Sequence, residues 1–374
     1  MSMIYFDNAA TSFPKPALVI REVKKCLSKY CGNPGRSAHP LSIKAAEKIY
    51  EARECVADFF GCSAPENVVF THNATYALNI AIKSLIPDNS HIIISDIEHN
   101  AVLRPICALA ERGIEYSIYN SQGNLYENIT PLIKNNTAAI VSTLKSNVTG
   151  FEIDPRILSA IATKHGLILI LDASQYAGHC AINLSKIKCD AFCAPAHKGM
   201  LGIQGCGFSI FGSNQRQKSV IEGGSGNDSL SPAMPLALPE GHEAGTVATP
   251  AIVALASGIK YINCIGFDDI NHHIADITGK VTDSLEKIPG ITFYCEGAGI
   301  ISINIRNIPA STVSELLAKN KIYTRSGLHC APLAHKSVGT LETGTVRVSP
   351  SVFTTDYDVN SLINAVTFLS QNNK

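Results

Sequence analysis

"LILILDASQYAG", residues 167–178, is an unbroken apolar run that stops on an aspartate and opens into small and polar residues. Leu167 to Leu171 do not alternate with polar neighbours, which is the pattern of a strand covered on both faces. A second run of the same kind is "HIIIS" (91–95), and "NVVF" (67–70), "YSIYN" (116–120) and "AAIVST" (138–143) read as further strands. Between them lie helical segments. In one, Leu78, Ala81, Ile82 and Leu85 recur at i, i+3, i+4 and i+7; another is expected around 99–112. Alternating βα units predict an open, mostly parallel α/β sheet with right-handed crossovers.

Outward from this core the pattern changes. Residues 223–246 are rich in Gly, Ser, Pro and Leu without usable periodicity, the mark of a long functional or mobile loop. Order restarts at "ATPAIVALASGIKYI", where Thr249 suits an N-cap and Pro250 a first helical position. A helix around 267–288, short strands in "ITFYC", "IISINI" and "TVRVS", and a terminal helix near 357–370 make a smaller α+β region. With 374 residues, two domains are expected: a large α/β domain over 15–255, and a small α+β domain from 1–14 and 256–374.

Lys+Arg and Asp+Glu are both 31, a balance that argues against a general binder of nucleic acid or membrane surfaces. The N-terminus shows no basic segment followed by a long apolar one, so a cytoplasmic protein is expected. Twelve cysteines are scattered with no C-x-x-C pair and no zinc-finger spacing, so no metal site is expected and most read as buried reduced thiols. Cys189 and Cys193 could meet on a helix, although core packing describes them better.

In open α/β sheets ligands sit beyond the carboxyl ends of the strands. Asp172 closes one strand; Lys198 follows the strand-like "AFCA"; His99 follows "HIIISDIE"; Asn73–Ala74–Thr75 occupies a strand-to-helix turn, where free N–H groups favour an anion. Each alone has an ordinary structural explanation, as a turn residue, a surface pair or a helix cap. Together they match the needs of pyridoxal phosphate (PLP): a lysine for a Schiff base, a carboxylate for the pyridine nitrogen, an anion cradle and a ring to stack on. Such a bond would also explain a lysine in apolar surroundings, where a bare ammonium is costly.

The sequence resembles class V aminotransferase-fold, PLP-dependent cysteine desulfurases, of the branch closest to selenocysteine lyases. The resemblance rests on "YFDNAATSFPKP" (5–16), "NPGRSAHPLS" (33–42), "FTHNATYALN" (70–79), "EHNAVLRP" (98–105), "SNVTG" (146–150), "LDASQYAG" (171–178), "AHKGMLGIQG" (196–205), "EAGTVATP" (243–250), "RSGLHCAPLAH" (325–335) and "GTVRVS" (344–349). It implies a fold-type-I PLP enzyme with these roles. Lys198 carries the cofactor, Asp172 pairs with its pyridine nitrogen, and His99 stacks on its ring. Gln175 and Asn147 lie near its phenolic oxygen, while Ala74, Thr75 and His197 hold its phosphate. Thr246 reaches the phosphate of a neighbouring subunit, implying a homodimer with shared sites. Arg347 grips the substrate carboxylate as a bidentate fork, with Asn147, Arg36 and His39 also on the substrate. Cys330 takes the sulfur as a persulfide, its thiolate favoured by Arg325 and His329 close by, and a sulfur-acceptor protein follows.

The chain departs from the family pattern at Pro195, where a small hydroxyl residue is common, at Tyr76, where glutamate is frequent, and at Leu328, where the best-known branch has histidine. The leading expectation is therefore desulfuration of L-cysteine to L-alanine. The alternatives are a selenocysteine lyase, another class V PLP enzyme (aminotransferase or C–S lyase), and a non-catalytic scaffold on the same fold.

Overall fold

The structure is a computed structural model that describes residues 3–35, 37–212, 218–226 and 230–372. In chain order the elements are β1 (Ile4–Tyr5), α1 (Ala17–Lys29), α2 (Pro40–Phe60), β2 (Val68–Thr71), α3 (Ala74–Leu85), β3 (His91–Ser95), α4 (Asn100–Ala108), β4 (Glu115–Tyr119), α5 (Leu125–Ile129), β5 (Thr137–Thr143), α6 (Pro155–His165), β6 (Ile168–Asp172), β7 (Ala191–Pro195) and β8 (Gly207–Phe211). The remainder comprises α7 (Thr249–Ile265), α8 (Phe267–Leu285), β9 (Ile291–Phe293), β10 (Ile301–Ile305), α9 (Ala310–Lys319), β11 (Ile322–Tyr323), β12 (Arg325–Gly327), α10 (Pro332–Ser337), β13 (Thr345–Val348) and α11 (Asp356–Asn372).

Seven strands form the large sheet in the order β2-β8-β7-β6-β5-β3-β4. β4, β3, β5, β6 and β7 run parallel, as the apolar runs predict; β8 lies antiparallel to both β7 and β2. Helices cover both faces, and each face has its own apolar cluster, one around Phe60, Phe192 and Phe208, the other around Leu78, Ile92 and Ile94. Phe192 is fully buried, and burying an aromatic of this size is worth roughly 1.5–3 kcal/mol. A four-stranded antiparallel sheet, β12-β13-β10-β9, packs with α8, α9 and α11 around a third cluster that includes Ile301, Val313, Val348 and Leu362.

Two local expectations need correction. Thr249 does not cap α7: the helix begins on Thr249 itself, Ala248 is the boundary residue without a side-chain cap, and Pro250 takes the second position. Thr249 is 3% exposed and packs inside the first turn. Cys193 lies on β7, and Cys189 precedes that strand, so they share no helix; Cys193 is instead a fully buried small hydrophobe. Among the described residues no single helix is long and apolar enough to cross a membrane; α7 and α8 reach that composition only together, bent by 83°.

The N-terminal segment links the two sheets. β1 pairs in parallel with β11, Asn8 Nδ2 donates to the carbonyl of Ser349 at 2.9 Å, and Gln175 Nε2 donates to the carbonyl of Ala9 at 2.8 Å. Four donors converge on the carbonyl oxygen of His197: Ser12 N at 2.9 Å, Ser12 Oγ at 3.2 Å, Thr11 Oγ1 at 3.2 Å and Lys15 Nζ at 3.0 Å.

Candidate active site

A cavity of about 200 Å³ opens beyond the carboxyl ends of β5, β6 and β7 and is lined by Asn73, Ala74, Thr75, His99, Thr143, Lys145, Asn147, Asp172, Gln175, Pro195, His197 and Lys198, among others. Ten residues singled out from the sequence thus share one wall system. Asp172 ends β6 and is 2% exposed; its Oδ1 accepts the N–H of Ser174 at 2.9 Å. Lys198 sits in the turn after β7, opposite it.

That turn is brought close by two glycines. A Cβ on Gly178, whose φ is +82°, would fall 2.3 Å from the carbonyl of Gly199, and one on Gly199 would fall 2.3 Å from the carbonyl oxygen of Ala177. The turn after β6 and the turn after β7 therefore lie backbone against backbone, which sets Lys198 beside Asp172 and Gln175. Burial draws the Lys198 ammonium down to about 8, against the pull of the Asp172 carboxylate. An amine in that range is readily deprotonated and nucleophilic.

Asn73 caps α3, its side chain taking the N–H of Tyr76, so the N–H groups of Ala74 and Thr75 have no acceptor among the described residues, and both residues line the cavity. Gly207 lets this turn approach: a Cβ there would lie 2.4 Å from the Asn73 carbonyl carbon. His197 adds a buried Nδ1 with no hydrogen-bond partner. The helix N-terminus, the Thr75 hydroxyl and this imidazole form an anion site. Pro195 lines the same cavity and brings no donor to it.

His99 precedes α4, and its Nδ1 accepts the N–H of Ala101 at 3.0 Å. The ring proton therefore resides on Nε2. Burial, reinforced by Lys198, holds its pKa at about 4, so the imidazole is neutral and suited to lie flat against an aromatic ring.

Arg347, on β13, is 1% exposed and lies in register with Arg325 on β12. Its Nη2 donates to Asp7 Oδ1 at 2.9 Å and its Nη1 to the Asn147 carbonyl at 3.2 Å, while Nε is buried without a partner. The guanidinium is thus already braced by Asp7, a carboxylate to which sequence reasoning gave no role. Burial lowers its pKa, although Asp7 opposes that shift.

Cys330 is exposed and follows β12 in a tight turn in which His329 and Cys330 both have positive φ, 49° and 57°. Two consecutive non-glycine residues in this region cost roughly 1–2 kcal/mol each. The surrounding bonds maintain it: Asn147 Nδ2 donates to the His329 carbonyl at 2.7 Å, and the Asn100 N–H donates to the Cys330 carbonyl at 2.7 Å. The expected positive charge on His329 is not there. The ring is 4% exposed, and burial together with Arg347 lowers its pKa to about 2, so it is neutral. Arg325 remains as the cation of this loop.

Two expected residues lie elsewhere. Thr246 is exposed and borders other cavities, one of them shared with Asn33, Pro34 and Gly35. Its segment is fixed by Glu243, which pairs with Arg53 at 2.9 Å through both guanidinium nitrogens and accepts the Phe70 N–H at 2.7 Å. His39 is exposed and caps α2, its Nδ1 accepting the Ser42 N–H at 3.2 Å. Arg36 lies outside the described residues. Among the described residues no group of three His, Cys, Asp or Glu side chains could hold a metal ion.

Residues 4–362 match the family model described as aminotransferase class-V. A protein of Methanothermobacter thermautotrophicus named probable cysteine desulfurase is 31% identical, the match covering 96% of this chain and 92% of that one. A Pyrococcus abyssi protein of the same name is 32% identical over 98% and 92% of the two chains. Among solved structures, the apo form of a cysteine desulfurase from Thermococcus onnurineus superposes with a TM-score of 0.92 at 29% identity, covering 99% of this chain and 95% of that one.

Proposed function

The chain belongs to the aminotransferase class-V family, and from that premise we propose that it is a PLP-dependent cysteine desulfurase, converting L-cysteine to L-alanine and passing the sulfur to Cys330. The observation that carries this reading is the exposed Cys330 thiol on a strained, doubly pinned turn that hydrogen-bonds both to Asn147, a cavity wall residue, and to Asn100, the first residue of the helix that follows His99.

The donor set fits the cofactor: an amine with a lowered pKa, a buried carboxylate, a neutral imidazole, and an anion site with unpaired N–H groups and an unpartnered His197 Nδ1. PLP, when bound, supplies the electron sink that stabilises negative charge at the substrate α-carbon. In this reading Lys198 would carry the cofactor, and its amine removes the α-proton. Asp172 would hold the proton on the pyridine nitrogen, His99 would lie on the ring, and Gln175 and Asn147 would meet the phenolic oxygen. Ala74, Thr75 and His197 would take the phosphate. Arg347, braced by Asp7, binds the substrate carboxylate through its remaining N–H groups. The Cys330 thiolate attacks the substrate sulfur. The S–S bond forms as the Cβ–S bond breaks; the bonding pair stays with the carbon, which takes a proton and becomes the methyl group, and the Lys198 ammonium returns a proton to the α-carbon to complete alanine. Cys330 is left as a persulfide anion.

The protein acts here as a cytoplasmic homodimer. Thr246, set apart from its own chain's cavity, completes a partner subunit's phosphate site, and Arg36 and His39 serve the substrate. A sulfur-acceptor protein removes the persulfide.

The experiment is incubation of the PLP-loaded protein with L-cysteine, followed by alanine quantitation and mass analysis of the peptide containing Cys330. The reading requires alanine and a 32 Da addition on that peptide, with both lost in Cys330→Ala. Alanine formation at the normal rate by Cys330→Ala would discard it. The same variant retaining activity on selenocysteine alone would favour the lyase alternative.

A further inference from the structure

Glu98 is a carboxyl group for which the reading above has no use. It lies between Asp96 and His99 at the end of β3, is wholly buried, and has no cationic partner among the described residues. Its two oxygens are not equivalent. Oε1 meets three donors: Ser95 Oγ at 2.5 Å, Thr143 N at 2.8 Å and Ser95 N at 3.3 Å. Oε2 meets one group, the Thr143 hydroxyl at 2.6 Å. That hydroxyl also lies 3.4 Å from Asp172 Oδ2.

A threonine hydroxyl has one hydrogen. It cannot donate to Glu98 and to Asp172 at once. If Glu98 were ionised, the shorter contact would take the hydrogen and Asp172 Oδ2 would face a bare oxygen lone pair. If Glu98 carries a proton on Oε2, every contact is satisfied: Glu98 donates to Thr143, Thr143 donates to Asp172, and Oε1 accepts its three N–H and O–H donors. We propose that Glu98 is a positioning residue held as a neutral acid, which aligns the Thr143 hydroxyl on Asp172 and thereby sets how strongly Asp172 holds the proton of the pyridine nitrogen.

This inference rests on the PLP reading for its last step only; the proton assignment stands on the protein's own atoms. Burial pushes the Glu98 carboxyl up to about 7, with hydrogen bonds from Ser95 and Thr143 opposing and Asp172 reinforcing the shift. The ionisable groups that face it are Asp172 from β6 and the Tyr119 phenol from β4, whose own proton Glu98 helps retain. Below about 7 the relay ends on Asp172. As pH rises past that point Glu98 ionises, the Thr143 hydroxyl turns to the newly charged oxygen, and Asp172 keeps only the Ser174 N–H on its other oxygen. Asp172 then has one donor fewer and is left to pair more strongly with a ring nitrogen held there.

The test has two arms on the full chain. In the PLP-free protein, infrared difference spectra between pH 5.5 and 9 should show a protonated-carboxyl C=O band that titrates near 7 and is absent in Glu98→Gln. No such band in the wild-type protein overturns the proposal, whatever becomes of PLP binding. In the PLP-loaded protein, the visible cofactor band should show a step with that same midpoint, lost in Glu98→Gln, whose amide still donates to Thr143, and lost in Thr143→Val. Thr143→Val should also lower kcat by about tenfold. Wild-type protein that gains no visible band with PLP refutes the functional reading, while the infrared arm still decides the proton assignment. A visible step unchanged in both variants overturns the relay. Near-native circular dichroism of Glu98→Gln guards against misfolding, and Thr143→Val gives an independent readout should Glu98→Gln fail to fold.

Discussion

The Cys330 carbonyl accepts its hydrogen bond from the backbone N–H of Asn100, 2.7 Å away and next to His99. The residue assigned to receive sulfur and the residue assigned to stack on the cofactor ring are thus joined through main-chain atoms, with no side chain between them. The second tether, Asn147 to the His329 carbonyl, is a side chain and can be removed.

Asn147→Ala should loosen the sulfur-accepting turn without emptying the cofactor site. We expect kcat for alanine production to fall about tenfold, the equivalent of one buried hydrogen bond. Hydrogen exchange at the Asn100 amide should quicken in the same variant, because its acceptor is no longer held.

Arg347→Ala should raise the KM for cysteine by about two orders of magnitude, within the ~2–5 kcal/mol seen when a buried charge partner is removed. Asp7 would be stranded in that variant, so the comparison is made in an Asp7→Asn background as well. Steady-state kinetics with a substrate lacking the carboxylate should show no further loss.

Pro195→Ser restores a hydroxyl at the anion site and an N–H at the end of β7. One added hydrogen bond corresponds to about a fivefold lower Kd for PLP. Fluorescence titration of the PLP-free protein with PLP measures it directly.

Lys198 titrates near 8 in the folded protein and near 10.5 when unfolded. Between those values the unfolded chain holds a proton that the folded chain has released, so this group makes stability rise with pH across that window. Below about 8 the buried ammonium is a net cost. Lys198→Met should therefore raise the Tm of the PLP-free protein at pH 7 by roughly 2–4 °C, and the gap should close as pH approaches 10.5.

Strand runs and helical periodicity were sufficient for the parallel core, because both-face burial writes itself into "HIIIS" and "LILILD" directly. β8 was not assigned from the sequence, so its antiparallel place in a mostly parallel sheet went unread, although the 196–206 link to β7 is too short for a crossover helix. The strand-end residues Asp172, Lys198, His99 and Thr75 could be found because a parallel sheet gathers its loops on one edge. Asp7, Lys15 and Glu98 were not, since what matters about them is a partner more than a hundred residues away or an oxygen with no partner to spare. Glu98 did carry a local signal, an acidic residue three positions past an apolar strand and directly before His99. The charge of His329 was misjudged because sequence proximity to arginines says nothing about exclusion of water.

The strap of residues 4–15 sets an order of assembly. Its donors on the His197 carbonyl are held in place by partners near the other end of the chain, with Ile4 paired to Ile322 and Asn8 bonded to Ser349. During synthesis these residues precede their partners by more than 300 positions, so they have nothing to dock on until β11 and β13 have been made. The turn that carries Lys198 is therefore braced only after the small sheet has formed.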